Sequence, residues 1–396
     1  MIAYGKITTR KIQHIYYVLL SIAVFSPHYL DEIPAWDLIS TLLRTASFVY
    51  FAMIYAKRGK FNKIVIYSMG IAIWTFLMTI IYENNIKNVF LRYVNILLVM
   101  MIFDLKDSDI SLVLKASFQA AVLIIYANFI VVIAYPNGIY VNFTDWSKVW
   151  IIGQKQEFAN VFIYATVIGA LYLKKGMKNL FIYLLYAVML YQAFVTGALG
   201  LLIVLVLSYV LIIIYFLRQF RINIKLLFAI SVLLSVTVVM IFGLNDFIPT
   251  NIYNLLDYTI VSDVTKIGNV LSRFNIWKDG LYFFLKSYGL GMGTFNEEVH
   301  YSIALYSKYH PNFHNMIVEY LATGGVIALL FYLSILSCTA KSLDRSQSRQ
   351  SVILGYLLFA YNILLIFEVY YSAFIMGLYI LANNRFFLEE RGEECR

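Results

Sequence analysis

Two polar stretches interrupt a chain that otherwise consists of long apolar runs. Residues 272–295 read SRFNIWKDGLYFFLKSYGLGMGTF, and residues 311–325 read PNFHNMIVEYLATGG. They bring together a basic residue, a glycine cluster and a histidine that begins an apolar run. We therefore expect the surrounding apolar helices to hold this part of the chain at one surface of a membrane.

Composition places the chain among integral membrane proteins. Its 396 residues are 61% hydrophobic and 13% charged, with a mean hydropathy of +0.76. A soluble protein of this length could not bury so much apolar surface. The two cysteines exclude a disulfide framework. The first apolar run lacks a small-residue cleavage site, so we expect a retained span and not a signal peptide.

Apolar runs long enough to cross the roughly 30 Å hydrocarbon core recur along the chain. They predict an all-α polytopic membrane protein with about 10–12 transmembrane helices, since only residues 196–200 separate the seventh run from the eighth. The approximate spans are 13–31, 38–56, 62–82, 89–103, 112–135, 158–173, 179–196, 198–217, 224–243, 313–337, 351–368 and 370–385.

The charges give this layout an orientation. With both termini in the cytoplasm, most Lys and Arg residues fall on cytoplasmic segments, as the positive-inside rule requires. The net charge of +9 then reflects topology, and nucleic acid is not an expected partner. Three parts follow: helices at 1–243 with an external loop at about 136–157, a long external loop at 244–312, and helices with a short cytoplasmic tail at 313–396.

The long external loop is predicted to contain an amphipathic helix that rests among lipid headgroups. Arg273 stands at its start, where a guanidinium can bind a phosphate bidentately, or else anchor to ordinary lipid headgroups. Apolar side chains recur every three or four residues from 274 to 288: Trp277, Leu281, Phe284 and Tyr288.

The glycine run at 289–293 follows this helix. Its GxGxG spacing and the lack of a preceding strand exclude a dinucleotide-binding fingerprint. Gly291 and Gly293 permit left-handed backbone, either for close approach of a ligand or for a helix end and turn.

His314 is predicted to lie in the first turn of the next span, with Asn312 as its cap. A histidine there can act as a general base or bind a phosphate oxygen, or it can be purely structural. Glu319 lies deeper on another helical face, where a polar cavity is expected. Lys155 and Glu157, in the earlier external loop, could approach the same external cavity.

These features together resemble the O-antigen polymerase and O-antigen ligase family of bacterial envelope polysaccharide assembly. The ligase pattern resembles H-N-x9-G-x-x-G, but this chain has Ala328 at its last position. The matching residues are Arg273 with Trp277, the run GLGMGTF at 289–295, and His314-Asn315 followed by a glycine pair that includes Gly324.

The resemblance implies a membrane-embedded glycosyltransferase with a C-type fold that uses an undecaprenyl-diphosphate-linked oligosaccharide outside the membrane. It implies no metal and no cofactor. His314 would activate the acceptor hydroxyl and Arg273 would bind the diphosphate as the catalytic residues. A second basic residue from the earlier external loop usually assists in the family, and Lys155 is the candidate for it here. Many relatives also carry a Ser-Arg pair where this chain has residues 196–200, which is a departure from the family pattern.

The substrate-contacting residues expected beside the catalytic pair are Lys155, Asn315, Gly291, Gly293 and Glu319. The substrate lies in the lipid of the bacterial cytoplasmic membrane, and a chain-length regulator is a possible partner. We expect a polymerase that makes capsule, exopolysaccharide or O-antigen.

Three other readings stay open. An O-antigen ligase would use a different acceptor, and a transporter or flippase of lipid-linked oligosaccharides would share the span count. A metal-dependent C-type glycosyltransferase would make Asp31 and Glu32 central, because adjacent carboxylates can hold a divalent cation.

Overall fold

A computed structural model describes residues 2–59, 61–84, 86–104, 107–142, 147–173, 179–218, 222–243, 264–294, 312–346 and 348–384. Parts of both predicted external loops, at 143–146, 244–263 and 295–311, lie outside the described residues, as does the predicted cytoplasmic tail at 385–396.

Helices dominate every described part of the chain, and each predicted span overlaps at least one of them. The predicted span 13–31 is divided between two helices, and 370–385 contains a helix of nine residues. The helices are α1 (Ile2–Phe25), α2 (His28–Asp31), α3 (Pro34–Arg58), α4 (Lys63–Ile81), α5 (Ile86–Phe103), α6 (Asp107–Ala134), α7 (Phe158–Tyr172), α8 (Leu180–Val195), α9 (Leu199–Arg218), α10 (Ile224–Gly243), α11 (Val264–Lys286), α12 (Met316–Ser346), α13 (Arg349–Leu364) and α14 (Ala373–Leu381). The break between α8 and α9 falls within residues 196–200, as predicted.

Six of the described helices are long and apolar enough to cross a membrane. They contain the segments Pro34–Arg58, Lys63–Ile81, Ile110–Ala134, Leu199–Leu217, Ile224–Ile241 and Met316–Ser346. Shorter apolar segments occur in α5, α7 and α8. The prediction of an all-α polytopic membrane protein is confirmed, with one addition: strands β1 (Tyr140–Asn142) and β2 (Ser147–Val149) form an antiparallel hairpin in the first loop.

Local chemistry sets several helix ends. Asn62 caps α4 by accepting the N–H of Ile64, and Ser348 caps α13 in the same way through Ser351. Pro34 occupies the first turn of α3, where its missing N–H costs nothing. These caps explain why the boundaries follow the edges of the apolar runs.

Burial runs from the centre of the bundle to its rim. Every residue of α14 is buried, and α14 packs against α5 and α7. Outer helices instead expose apolar side chains, such as Leu217 at 76% and Phe194 at 72%, which is the surface that lipid covers. The connection between α13 and α14, residues 365–372, therefore starts and finishes in the protein interior.

One end of the bundle gathers the loops and is called here the loop face. It is formed by the last residues of α1, α4, α6 and α8 and the first residues of α5, α7 and α12. Its connections include His28 N to Ile152 O, Trp150 Nε1 to Tyr135 O, Lys155 Nζ to Gly197 O, Asn84 Nδ2 to Met292 O and Met316 N to Leu365 O.

Helix α12 is broken at Gly325, which has φ 62° and ψ −160°. Segment 289–293 fills the break with backbone hydrogen bonds, so polar groups that would be costly inside a membrane are paired. The bonds join Met292 N to Ala322 O at 2.8 Å, Gly293 N to Thr323 O at 2.8 Å and Val326 N to Gly289 O at 3.0 Å. The element that lies directly against Gly325 is this segment.

Helix α11 carries Arg273 and packs against α12 and α10. Trp277 and Phe283 on its inner face are fully buried and pack with Phe313 and Val318. A helix covers most of the predicted range, but it begins at Val264, so Arg273 lies within the helix and not at its start. Much of its apolar face is covered by protein. It ends at Lys286, so Tyr288 lies beyond it.

Candidate active site

A single carboxylate joins the two predicted catalytic residues. Oε1 of Glu368 lies 2.5 Å from a terminal guanidinium nitrogen of Arg273, and Oε2 lies 3.1 Å from Nδ1 of His314. Arg273 also donates to the backbone carbonyl of Phe367. The structure thus brings residues from α11, the turn before α12 and the 365–372 connection into one hydrogen-bonded unit at the loop face.

Sequence reasoning missed Glu368. The predicted span 351–368 ends on Glu368, whereas α13 ends at Leu364 and leaves Glu368 in the connection. The available signal was the rarity of carboxylates within apolar sequence, which marks them as functional candidates.

Glu368 is ionised in its resting state. Burial would raise the pKa of this carboxyl, but the hydrogen bond and charge of His314, together with the Arg273 guanidinium, outweigh it and hold the pKa below the ordinary value. An ionised Glu368 can accept a hydrogen bond from a protonated Nδ1 of His314. In that tautomer Nε2 is the basic nitrogen, and it has no hydrogen-bond partner among the described residues.

His314 does not lie in the first helical turn as predicted. Helix α12 begins at Met316, and His314 precedes it with a left-handed φ of 48°. The backbone N–H of His314 donates to Oδ1 of Asn312 at 3.0 Å. This local turn, stabilised by a side chain with strong turn preference, directs the imidazole towards Glu368.

Asn315, and not Asn312, caps helix α12. Its Oδ1 accepts the N–H groups of Ile317 and Val318 at 2.9 and 3.1 Å. Its Nδ2 donates to the carbonyl of Ile366 at 2.9 Å and to Ser235 at 3.1 Å, and the residue is fully buried. Asn315 therefore ties the start of α12 to the connection that carries Glu368, two residues after Ile366.

Glu319 lies next to the turn that contains His314 and does not contact the imidazole in the described structure. Its Oε2 accepts the backbone N–H of Phe313 at 3.1 Å, and its Oε1 accepts the hydroxyl of Tyr371 at 3.0 Å. The guanidinium of Arg92 lies 3.8 Å from Oε1 and 4.1 Å from the centre of the Tyr371 ring. The side chain is almost completely buried and supports the turn that contains His314.

Gly291 and Gly293 adopt the left-handed backbone predicted for them, with φ of 85° and 79°. A Cβ on Gly291 would lie 2.5 Å from the backbone nitrogen of Gly325, and one on Gly293 would lie 2.4 Å from Cα of Thr79. Both positions are buried, and the surface that approaches them closely is protein: the break in α12 and the end of α4.

Lys155 lies apart from the Glu368 unit in the described contacts. Its Nζ is 3.5 Å from the carbonyl of Gly197, in the turn between α8 and α9. The side chain is exposed at the loop face, on the segment that leads into α7. The structure therefore places this cation at residues 196–200.

Asp31 and Glu32 are the pair that the metal-dependent hypothesis makes central. Their side chains have different partners and do not converge on one point. Asp31 accepts from the Ser26 hydroxyl, whereas Glu32 contacts the Tyr140 hydroxyl and lies 3.5 Å from His28 Nε2. Over the described ranges, no group of three or more His, Cys, Asp and Glu residues has the arrangement to hold a metal ion.

Comparison with known families bears on the same region. Residues 179–333 match the family model for O-antigen ligase. That segment contains Arg273, the 289–293 run and His314, so the resemblance expected from the sequence is confirmed over this part of the chain. No curated protein and no solved structure matches the chain significantly.

Proposed function

We propose that the protein is a polysaccharide polymerase. It transfers an undecaprenyl-diphosphate-linked glycan onto the sugar of another lipid-linked repeat unit, at the outer face of the bacterial cytoplasmic membrane. The observation that carries the proposal is the Glu368 carboxylate that joins His314 and Arg273. The match of residues 179–333 to the O-antigen ligase model supports the same substrate class.

The first step of the reaction needs a base. Nε2 of His314 takes the proton of an acceptor hydroxyl, and the ionised Glu368 at Nδ1 stabilises the imidazolium that forms. The acceptor oxygen then attacks the anomeric carbon of the donor glycan. A new glycosidic C–O bond forms as the bond between that carbon and the diphosphate oxygen breaks.

The second requirement is a cation for the leaving group. The lipid diphosphate departs with the electron pair, and Arg273 stabilises its charge through guanidinium N–H groups that have no partner among the described residues. Lys155 supplies a second cation. Its position against Gly197 puts a positive charge at the turn where the resembling family carries a Ser-Arg pair.

The membrane supplies the geometry for this chemistry. The polyprenyl chain stays in the hydrocarbon core of the membrane. The residues that bind the diphosphate must therefore lie at the depth of the lipid headgroups. Orientation by the positive-inside rule puts the loop face outside and both termini in the cytoplasm. The proposed chemistry uses no metal, because a histidine base and two cations suffice for acceptor activation and leaving-group stabilisation.

The polymerase reading is preferred to a ligase because Ala328 replaces the last glycine of the ligase pattern and because Glu319 supports the histidine turn. The alternative is an O-antigen ligase that passes the glycan to a different acceptor. In cells, deletion of the gene separates the two. Single repeat units on lipid indicate a lost polymerase, and long chains left on the lipid carrier indicate a lost ligase.

A purified system tests the chemistry directly. The protein in lipid nanodiscs receives labelled lipid-linked repeat units with and without EDTA, and products are resolved by length. We expect elongation by the wild type, a fall of about 10²–10⁴-fold in His314→Ala, and about 10²–10³-fold in Arg273→Ala. His14→Ala and Arg345→Ala, which remove the same side chains far from the Glu368 unit, are the matched controls.

Two results would reject the proposal. Elongation that survives His314→Ala but disappears in Asp31→Asn or with EDTA supports the metal-dependent alternative. Movement of unextended lipid-linked units across the bilayer, without any elongation, supports a flippase.

A further inference from the structure

A polar cavity opens beside the Glu368 unit at the loop face. Its volume is about 330 Å³, and it lies between the end of α1, the first half of α5, the start of α7 and the residues before α14. The polar side chains that line it include His28, Asp31, Arg92, Glu157, Asn160 and Tyr371. The catalytic steps proposed above use none of these side chains.

We infer that this cavity binds an uncharged, hydroxyl-rich sugar unit of the acceptor glycan. The inference rests on the proposed transferase function and adds the place where the acceptor is held. The volume falls at the lower end of the roughly 300–1,000 Å³ range of ligand pockets, which suits a ligand of monosaccharide or disaccharide size.

The charges of the lining argue against a phosphate ligand. Asp31 and Glu157 contribute two carboxyl groups, and the guanidinium of Arg92 is already held between Glu319 and the Tyr371 ring. The carboxyl oxygens accept hydrogen bonds, and the side-chain amide of Asn160 can donate one as well as accept one. Such a set matches sugar hydroxyls, whereas it would repel a diphosphate.

Unused hydrogen-bonding capacity gives a second argument. Oδ1 of Asp31 and Oδ1 of Asn160 are buried acceptors with no hydrogen-bond partner in the described part of the chain. Buried acceptors without partners are rare, because each forfeits the hydrogen bond it would make to water. Hydroxyl groups of a bound sugar are the donors that these two oxygens lack.

The cavity also lies in the right place for an acceptor. Tyr371 on its wall follows Glu368 by three residues, so their Cα atoms are at most about 11 Å apart. The Tyr371 hydroxyl and the Phe313 N–H both bind Glu319, and Phe313 is the neighbour of His314. A glycan anchored in the cavity can therefore present an adjoining hydroxyl to Nε2 of His314.

A binding measurement that needs no turnover tests the inference. The probe is the lipid-free repeat-unit oligosaccharide released from the polysaccharide of the source strain, titrated onto full-length protein in nanodiscs and followed by saturation-transfer NMR. We expect Asn160→Leu to weaken binding by about tenfold, since it keeps the side-chain size and removes the polar group. Asn179→Leu is the matched control, because the side chain of Asn179 makes no capping bond at the start of α8.

Two further measurements distinguish sugar binding in this cavity from binding at the catalytic residues. His314→Ala and Arg273→Ala should bind the oligosaccharide within about twofold of the wild type, and excess inorganic pyrophosphate should not displace it. Glu157→Gln tests the same cavity if Asn160→Leu fails to fold.

Three outcomes overturn the inference: no binding by the wild type, unchanged binding in a folded Asn160→Leu or Glu157→Gln variant, or displacement by pyrophosphate. Elongation without cavity-dependent binding would refute this inference alone. Cavity-dependent binding without elongation would refute the proposed function and leave the sugar site standing.

Discussion

Nδ1 of His314 lies 3.1 Å from Oε2 of Glu368, a carboxylate that is 54 residues further along the chain. The same carboxylate holds Arg273 through its other oxygen. One acidic side chain thus fixes the orientation of the candidate base and the position of the candidate phosphate-binding cation. Loss of Glu368 should disturb both functions together.

Glu368→Gln should reduce the turnover number by about 10–10²-fold, because the amide keeps the shape but cannot stabilise an imidazolium by charge. The elongation rate of lipid-linked repeat units measures it. Glu83→Gln, at an exposed position just after α4, makes the same chemical change away from the site. Equal activity in the two variants would remove Glu368 from the mechanism.

The stability of the protein should depend on pH through Glu368. Its folded-state pKa lies below the ordinary value of 4.5, so its contribution is present above pH 4.5 and is lost as the pH falls through the lowered value. The melting temperature of the wild type should therefore exceed that of Glu368→Gln from about pH 8 to pH 5, with the difference shrinking only in stronger acid. A difference that already disappears between pH 7 and pH 6 contradicts the ion-paired arrangement.

Gly291→Ala should destabilise the fold by about 2–4 kcal/mol, the sum of left-handed strain and overpacking. Its Cβ would press on the backbone of Gly325 and of Gly324 at 2.5 and 2.6 Å. Gly59→Ala is the control for strain alone, because Gly59 has φ 63° and its Cβ would meet nothing within 4 Å. The shift in thermal unfolding midpoint measures both, and similar shifts would show that the contact with α12 is unimportant.

Lys155→Gln should raise the KM for the lipid-linked donor by about tenfold and change the turnover number much less, if Lys155 binds the diphosphate in the ground state. Lys148→Gln is the matched control. That lysine lies in the same loop and donates to Asn137 at 2.7 Å. A donor KM that is unchanged in Lys155→Gln would leave Arg273 as the cation that binds the diphosphate.

The helices could be read from the sequence with good accuracy because lipid imposes a strong constraint. A membrane-spanning helix must be apolar over its length, so its approximate limits follow from the hydropathy of the sequence. This holds even at the short gap in residues 196–200. The left-handed backbone of Gly291 and Gly293 was equally readable, since few other residues tolerate it.

The contacts between the residues of the candidate site could not be predicted from local sequence patterns. Arg273 and Glu368 are 95 residues apart, and no local pattern records a contact between distant segments. The glycine run illustrates the same limit: its conformation is local, but its partner is a break in α12. Sequence reasoning placed His314 and Arg273 at one surface through topology and missed the carboxylate that joins them.

The break at Gly325 bears on how the chain is assembled during synthesis. Helix α12 cannot pair all of its own backbone groups, and the missing partners come from residues 289–293, which leave the ribosome before it. That earlier segment is itself held by Trp74 in α4, which donates to the carbonyl of Leu290, and by Asn84 just after α4, which donates to the carbonyl of Met292. We therefore expect α12 to have all of its backbone groups paired only once the 289–293 segment has docked between it and α4.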